Sequence, residues 1–240
     1  MPFSITPLVV LGLGLTFIND AAAGGVFLFT YGGKITRFEA TVQVPNPPTA
    51  LQGTSPNWQI QATWAGMQPT DQSCVLQNVI GNAGSKVGHW SHIPSFYDAY
   101  PGDQVRSVWA LDESSNKWSD TWSVVPGTIG KANGEQSYGG SYTFDGSKFS
   151  PTVPDMTEIL LTIEHLGIGN KADPGWGSGS VTFTNIVIES VSTQDWCNPK
   201  NADTWHPQDV KSVNVSTPFT STIKNGKKTC RIDYLVINTN

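Results

Sequence analysis

Charge is scarce in this chain. Asp, Glu, Lys and Arg make up 14 % of its 240 residues. Thr, Ser, Asn and aromatic residues take up the difference, a balance that suits strands and tight turns better than helices. The 14 basic residues are scattered, and 19 acidic ones leave a net charge of −5. Without a Lys/Arg cluster, no nucleic-acid partner is expected. Long apolar runs are missing too. Residues 8–18 form a run too short to span a bilayer and no other segment qualifies, so stable membrane insertion is not expected. Cysteine is limited to three residues. Cys197 and Cys230 bracket the C-terminal region and are the candidate disulfide; Cys74 is left over and is expected buried and reduced. No Gly-x-Ser-x-Gly elbow is present, since Gly177-Ser178-Gly179-Ser180 reads as a Gly/Ser loop. Gly-rich stretches precede no helix, so no phosphate cradle is supported. The four histidines, 89, 92, 165 and 206, include a His89-Trp90-Ser91-His92 spacing, but it lies in a Pro/Ser-rich loop. No metal and no cofactor are expected.

What is abundant is Gly (24), Pro (16) and Trp (9). The tryptophans suit a large core, with some available to line a binding surface. Residues 8–18 followed by Ala21-Ala22-Ala23 read as the apolar region and cleavage site of a secretory signal, although the leading residues carry no Lys or Arg. The alternative is a first core strand. The expected organisation is a signal peptide over 1–23 and one β-sandwich domain over 24–240, destined for the secretory pathway or the extracellular space. Asn214-Val215-Ser216 is an N-glycosylation sequon.

From Gly24 onward the pattern is strand after strand. Expected strands are 26–31, 35–44, 57–65, 74–80, 139–147, 159–164, 180–191 and 233–238. Residues 104–111 and 117–125 form a hairpin around the turn residues Asp112–Asn116. Residues 45–56, 81–103 and 165–179 read as long loops, 81–103 with functional character. Neither an amphipathic helix nor a fixed-period repeat is visible. About ten short strands imply an all-β fold, a two-sheet antiparallel sandwich of jelly-roll (concanavalin-like) type with a concave ligand face. Trp118 and Trp122 share a strand face and are read as core packing before a sugar platform.

Side-chain alternation groups the chemistry. Val75, Gln77 and Val79 share a face. So do Leu160, Thr162 and Glu164, and so do Trp58, Ile60, Ala62 and Trp64. If the three faces line one concavity, Gln77, Glu164 and Trp64 meet there. A carboxyl among apolar neighbours is harder to ionise and serves as general acid or base, and an amide beside it donates to a developing oxyanion. The plain alternative is that Gln77 faces solvent and Glu164 merely ends a strand.

These same segments resemble the eqolisins, the fungal glutamic peptidases. Gly24-Gly25-Val26 and Ala40-Thr41-Val42-Gln43-Val44-Pro45 are similar to that family's first two strands. Trp64-Ala65-Gly66 is similar to its Trp-Val-Gly strand, and Val181-Thr182-Phe183 to a later core strand. By this resemblance Val75-Leu76-Gln77 carries the catalytic glutamine and Leu161-Thr162-Ile163-Glu164 the catalytic glutamate. The departures are specific. Ala23 stands where the family has Trp, Gln68 or Pro69 where it has an acidic residue, and a segment with His89, Trp90 and His92 where it has an aromatic, acidic strand. The family's long propeptide has no counterpart before the first strand. In size, leader and all-β character the chain also resembles the secreted fungal hetero-Diels–Alderases of tropolonic sesquiterpenoid biosynthesis. That resemblance implies an apolar pocket joining a reactive quinone methide to a terpenoid alkene by orientation. Polarising hydrogen bonds would come from Gln77 or Glu164, with His89, Trp90, His92, Tyr97, Arg106 and Trp64 as substrate-binding candidates.

Three function classes follow. The first is a cyclase of secondary metabolism acting on a small apolar substrate. The second is an acid-acting glutamic endopeptidase, with a peptide as substrate. The third is a carbohydrate-binding sandwich, for which no paired sugar platform or Ca²⁺ motif speaks.

Overall fold

The computed structural model describes residues 26–30, 33–54, 56–82, 89–92, 97–146, 155–192, 194–205 and 209–240. The expected leader, Gly24, Gly25 and His206 lie outside these residues. Among the described residues the chain forms two antiparallel sheets of eight strands each. The first sheet has the order β13-β1-β11-β4-β5-β6-β7, with β3 also on β4. Its strands are β1 (Val26–Thr30), β3 (Gly53–Thr54), β4 (Asn57–Gln68), β5 (Leu76–Gly81), β6 (Trp90–His92), β7 (Tyr97–Ala99), β11 (Glu158–Ile168) and β13 (Ala202–Trp205). The second runs β10-β9-β8-β2-β12-β16-β14, with β15 also on β16. It comprises β2 (Ile35–Gln43), β8 (Gln104–Asp112), β9 (Lys117–Val125), β10 (Tyr138–Asp145), β12 (Val181–Ser190), β14 (Val210–Val215), β15 (Thr220–Lys224) and β16 (Lys227–Thr239).

The all-β sandwich is therefore as expected, with more and longer strands. β4 and β11 run on to Gln68 and Ile168, past their expected ends, because each keeps its ladder partner along its whole length. The 81–103 loop contains β6 and β7, and the 45–56 loop contains β3. Among the described residues one short α-helix, α1 (Thr128–Ala132), and a 3-10 turn at Pro199–Asn201 interrupt the strands. The hairpin of β8 and β9 closes with Asp112 opposite Lys117, and Asn116 takes the left-handed φ of 51° that an Asn tolerates in a tight turn.

Alternation sorts the core. From the first sheet, Ala65, Met67, Leu76, Ile80, Ile159, Leu161 and Ile163 point between the sheets. From the second come Phe38, Val105, Trp109, Trp118, Val124 and Phe183. Trp118 and Trp122 are buried, as core packing requires. Phe38 and Trp109 stack with ring centroids 5.4 Å apart. In β12 the apolar phase shifts by one between Phe183 and Ile186. A bulge at Asn185 (φ 53°) absorbs the extra residue, so both side chains still face inward. Cys197 and Cys230 are bonded, while Cys74 is free and half-buried rather than fully buried. Asn214 is exposed on β14, at the end of its sheet's strand order. No described helix is long and apolar enough to cross a membrane.

A few polar groups cross the interior. Asn78 of β5 donates to Ser107 Oγ (3.0 Å) and to Asp120 Oδ1 (2.9 Å), tying one sheet to the other. Burial pushes the Asp120 carboxyl up to about 6, with the Asn78 amide and the Trp109 indole holding it back in part. Nearby His92, fully buried against Trp122, is pushed down to about 4 by burial. The two act in opposite directions. Asp120, raised above its ordinary 3.8, contributes stability that is present in acid and lost as pH rises towards 6. His92, lowered from 6.5, contributes stability that is present near neutrality and lost as pH falls through about 4. Each shift is worth about 3 kcal/mol, so the slopes offset each other between these limits. In urea denaturation this pair should therefore add little net slope across the window. Asp120→Asn should unmask the histidine, with stability climbing by about 2–3 kcal/mol from acid to neutral pH. Parallel profiles for the two proteins would show that Asp120 is not held in a dry site.

Candidate functional site

The side chains of β4, β5 and β11 that do not enter the core share the opposite face of the first sheet. Ladder register arranges them in rungs. Gln68 stands opposite Glu158, and Gly66 lies between Gln77 and Leu160. Trp64 lies between Val79 and Thr162, and Ala62 between Gly81 and Glu164. Successive rungs are two residues, or roughly 7 Å, apart. Ala62, Trp64 and Leu160 form a small apolar cluster of their own, joined by Ile60 and Val79.

Trp64 is the centre of this face. Its indole Nε1 donates to Glu164 Oε2 at 3.1 Å. Its ring also reaches over Gly66, where an added Cβ would lie 3.1 Å from Trp64 Cζ3 and 3.2 Å from Gln77 Cβ. Trp64 therefore stands between Glu164 and Gln77. The two polar groups share a face, but they are two strands apart and four residues offset, roughly 17 Å from backbone to backbone. They cannot hold one water between them.

Glu164 keeps part of its surface open, yet its carboxyl is enclosed by protein atoms. Burial pushes it above the usual carboxylate range, and the Trp64 indole and neighbouring His165 pull part of the way back. A neutral Glu164 donates a proton or hydrogen bond more readily than an exposed glutamate. Gln77 is half-buried, and its amide bonds to no described residue.

A second amide–carboxyl pair was not anticipated as such. Gln68 Nε2 donates to Glu158 Oε2 at 2.8 Å, and both residues are buried. Gln68 stands out in the sequence only as a departure from an acidic position, and Glu158 lies just before the expected start of its strand. The available signal was parity. Glu158, Leu160, Thr162 and Glu164 alternate in one phase, as do Ala62, Trp64, Gly66 and Gln68. Gln77 and Glu158 are one rung offset, roughly 12 Å between backbones. Two buried atoms on this face, Gln68 Oε1 and Thr162 Oγ1, have no hydrogen-bond partner. Each such vacancy costs about 1–3 kcal/mol against a satisfied group.

The other candidates lie elsewhere. Trp90 is a core side chain that donates to Asn46 O at 2.9 Å and stacks on Trp176. His92 points between the sheets, because its place in β6 has the inward parity of Trp90. His89 packs edge-on against Tyr100. Tyr97 is exposed at the sheet margin against Tyr138 of the second sheet. Arg106 sits on the outer side of that second sheet and pairs with Glu39 at 2.7 Å. Parity turns Trp90 and His92 away from Trp64, Arg106 belongs to the other sheet, and His89 and Tyr97 stand at the β6–β7 margin, beyond β5.

His165, next to Glu164, points the opposite way and pins loops. Its Nδ1 meets Asp173 Oδ1 at 2.7 Å. Its Nε2 is 2.7 Å from Asp209 Oδ2, outside hydrogen-bond alignment. Gln61 accepts from Thr49 and Ala50 N–H and donates to Thr49 Oγ1 and Gly175 O. The loops beside the site are thus tied to the backs of β4 and β11. The described residues contain no group of three or more side chains able to hold a metal ion.

No protein-family profile and no curated protein sequence matches the chain. Among solved structures it is similar to scytalido-glutamic peptidase, in crystals with a peptide-based transition-state analogue and with a transition-state analogue inhibitor. Each comparison gives 16 % identity and a TM-score of 0.45 over 89 % of this chain and 98 % of the other. At that level the likeness has no bearing on the chemistry of this face.

The fit around Gly66 is checkable. In Gly66→Ala the new methyl would stand 2.7 Å from Leu76 O and crowd Trp64 and Gln77. The substitution should lower stability by about 1–3 kcal/mol and shift the Trp64 fluorescence as the indole leaves Glu164. Full stability with unchanged emission would mean that Trp64 does not cover Gly66.

Proposed function

We propose that this face binds a small apolar substrate and accelerates its cyclisation, a hetero-Diels–Alder addition between a quinone methide and a terpenoid alkene. The supporting observation is the distribution of polarity. Ala62, Trp64 and Leu160 form an apolar cluster with Ile60 and Val79, and few polar side chains border it: Gln77 and Thr162 on its rungs, Glu164 one rung beyond Trp64. A polypeptide is held by hydrogen-bonding partners along its length, whereas an apolar surface with a few polar groups suits a compact hydrocarbon body. The cycloaddition forms one C–C and one C–O bond from existing π electrons and releases nothing. It needs orientation of the two partners and a donor on the quinone-methide oxygen. The Gln77 amide is one donor, and Glu164, whose carboxyl burial makes easier to protonate, is a second in its protonated form.

A second reading, an acid-acting glutamic peptidase, is favoured by one observation. Gln77 and the buried Glu158 flank β4 on one face, one rung offset, at a separation that one water and two side chains can span. In that reading Glu158, rather than Glu164, is the carboxyl that activates water.

Two assays separate the readings. With an o-quinone methide generated in place and a sesquiterpene alkene, the protein should give one stereoisomer by chiral chromatography. Glu164→Gln should slow it by about 10–100-fold, the ~1–3 kcal/mol of a hydrogen bond to a charged or strongly polarised group. Trp64→Ala should raise KM. Racemic product at the buffer rate would overturn the cyclase reading. Hydrolysis of denatured protein in acid, lost in Glu158→Gln and kept in Glu164→Gln, would establish the peptidase.

A further inference from the structure

We infer that His165 is a proton-operated latch: with both ring nitrogens protonated it holds Asp173 and Asp209 at once, and loss of one proton releases Asp209 and the start of β14. The buried ring lies between two carboxylates. Its Nδ1 is 2.7 Å from Asp173 Oδ1, and its Nε2 is 2.7 Å from Asp209 Oδ2. An ionised carboxylate only accepts, so each contact needs a hydrogen on the nitrogen that faces it. The imidazolium has two such hydrogens and the neutral ring has one. A neutral ring therefore turns a lone pair towards one of the two carboxylates. The contacts are unequal. Nδ1 and Asp173 are aligned as a hydrogen bond, whereas Nε2 meets Asp209 off line. The neutral ring keeps its hydrogen on Nδ1 and gives up Asp209.

Asp173 and Asp209 are the charged groups that meet the ring. Gln61, opposite it on β4, is neutral. Glu164, the preceding residue, points to the other face of the sheet and feels the ring only through its charge. Lys171, in the same loop as Asp173, is exposed to solvent. The ring thus joins three segments. One is the end of β11. The second is the 173–176 turn, where Gly175 N–H donates to Asp173 Oδ1 at 2.9 Å and Trp176 N–H donates to Asp209 Oδ2 at 3.0 Å. The third is the start of β14, which Asp209 immediately precedes. β14 ends its sheet's strand order, and Lys211 falls in a register shift between Val210 and Ser212. Lys211 is exposed. With Asp209 released, the pairing of Val210 with Thr239 and the Asn240 N–H bond to Asp209 O (3.3 Å) remain to hold this stretch. A strand end held by so little opens locally without global unfolding.

Trypsin tests the latch by cleavage after Lys211 in the full chain, from about pH 6 to pH 9, each rate divided by that of an unfolded peptide of the same sequence. Ring ¹H–¹⁵N spectra follow the His165 proton over the same range. In the wild type, cleavage should rise by about 10–100-fold as the ring passes from two protons to one, the ratio set by losing one hydrogen bond to a charged group. His165→Gln cannot titrate and should give a flat profile. Asp209→Asn should also be flat, and protected throughout, because an amide N–H can meet the bare Nε2. A flat wild-type profile while the ring proton leaves would overturn the latch. So would a ring whose protonation does not change across the range, or a rise of the same size in either variant. Wild-type cleavage set against the ring signal decides even if neither variant folds.

Discussion

The antiparallel register of β4 and β11 is the constraint on which the rest depends. Eleven consecutive residue pairs, from Glu158 opposite Gln68 to Ile168 opposite Trp58, lock the two strands. A slip of one residue would exchange every inward side chain for an outward one. Ala65, Met67, Ile159, Leu161 and Ile163 would leave the core, and Trp64, Gln68, Glu158 and Glu164 would enter it. Core and site are thus two sides of one ladder. The burial of apolar residues on one side holds the polar residues in place on the other. Additional ties come from His165 and Gln61, which face inward and bind the flanking loops from behind.

Buried polar groups divide into two kinds in this molecule. Gln61, Asn78 and Asn82 have their hydrogen bonds met by backbone or neighbouring side chains, and they join loop to strand or sheet to sheet. Such fully met groups specify which loop lies where. Gln68 and Thr162 each keep an unmet atom, and both stand on the face that carries Trp64. Unmet buried groups are disfavoured by folding; Thr162 stands one rung from Glu164, whose carboxyl pKa is raised by burial, and Gln68 three rungs away. Asp120 and His92 form a separate case. They lie in the sandwich interior, and the opposed effects of burial on an acid and a base largely cancel between their two titrations.

Much of the fold was legible because strand and turn signals are local. The β8–β9 hairpin was readable from two alternating runs around Asp112–Asn116. The shared face of Trp64, Gln77 and Glu164 was readable from parity within each strand. Less legible were the short strands β6 and β7, whose three residues carry too few alternations to separate strand from loop, and β13 to β15, which lack a strong apolar phase. The substrate-binding candidates illustrate the limit most clearly. His89, Trp90, His92, Tyr97 and Arg106 have the right chemistry for a site, but chemistry does not tell which sheet or which side a residue occupies.

The sequence by itself determined the fold class, the inward and outward sets of each long strand, and the residue types available for catalysis, because these follow from composition and a two-residue period. The partners were decided only by tertiary structure. Gln77 and Glu164 share a face yet stand apart with Trp64 between them, and Glu158 finds Gln68, 90 residues away in the chain. Register between distant strands sets those pairings, and register is fixed by the packing of both sheets at once, which no single segment encodes.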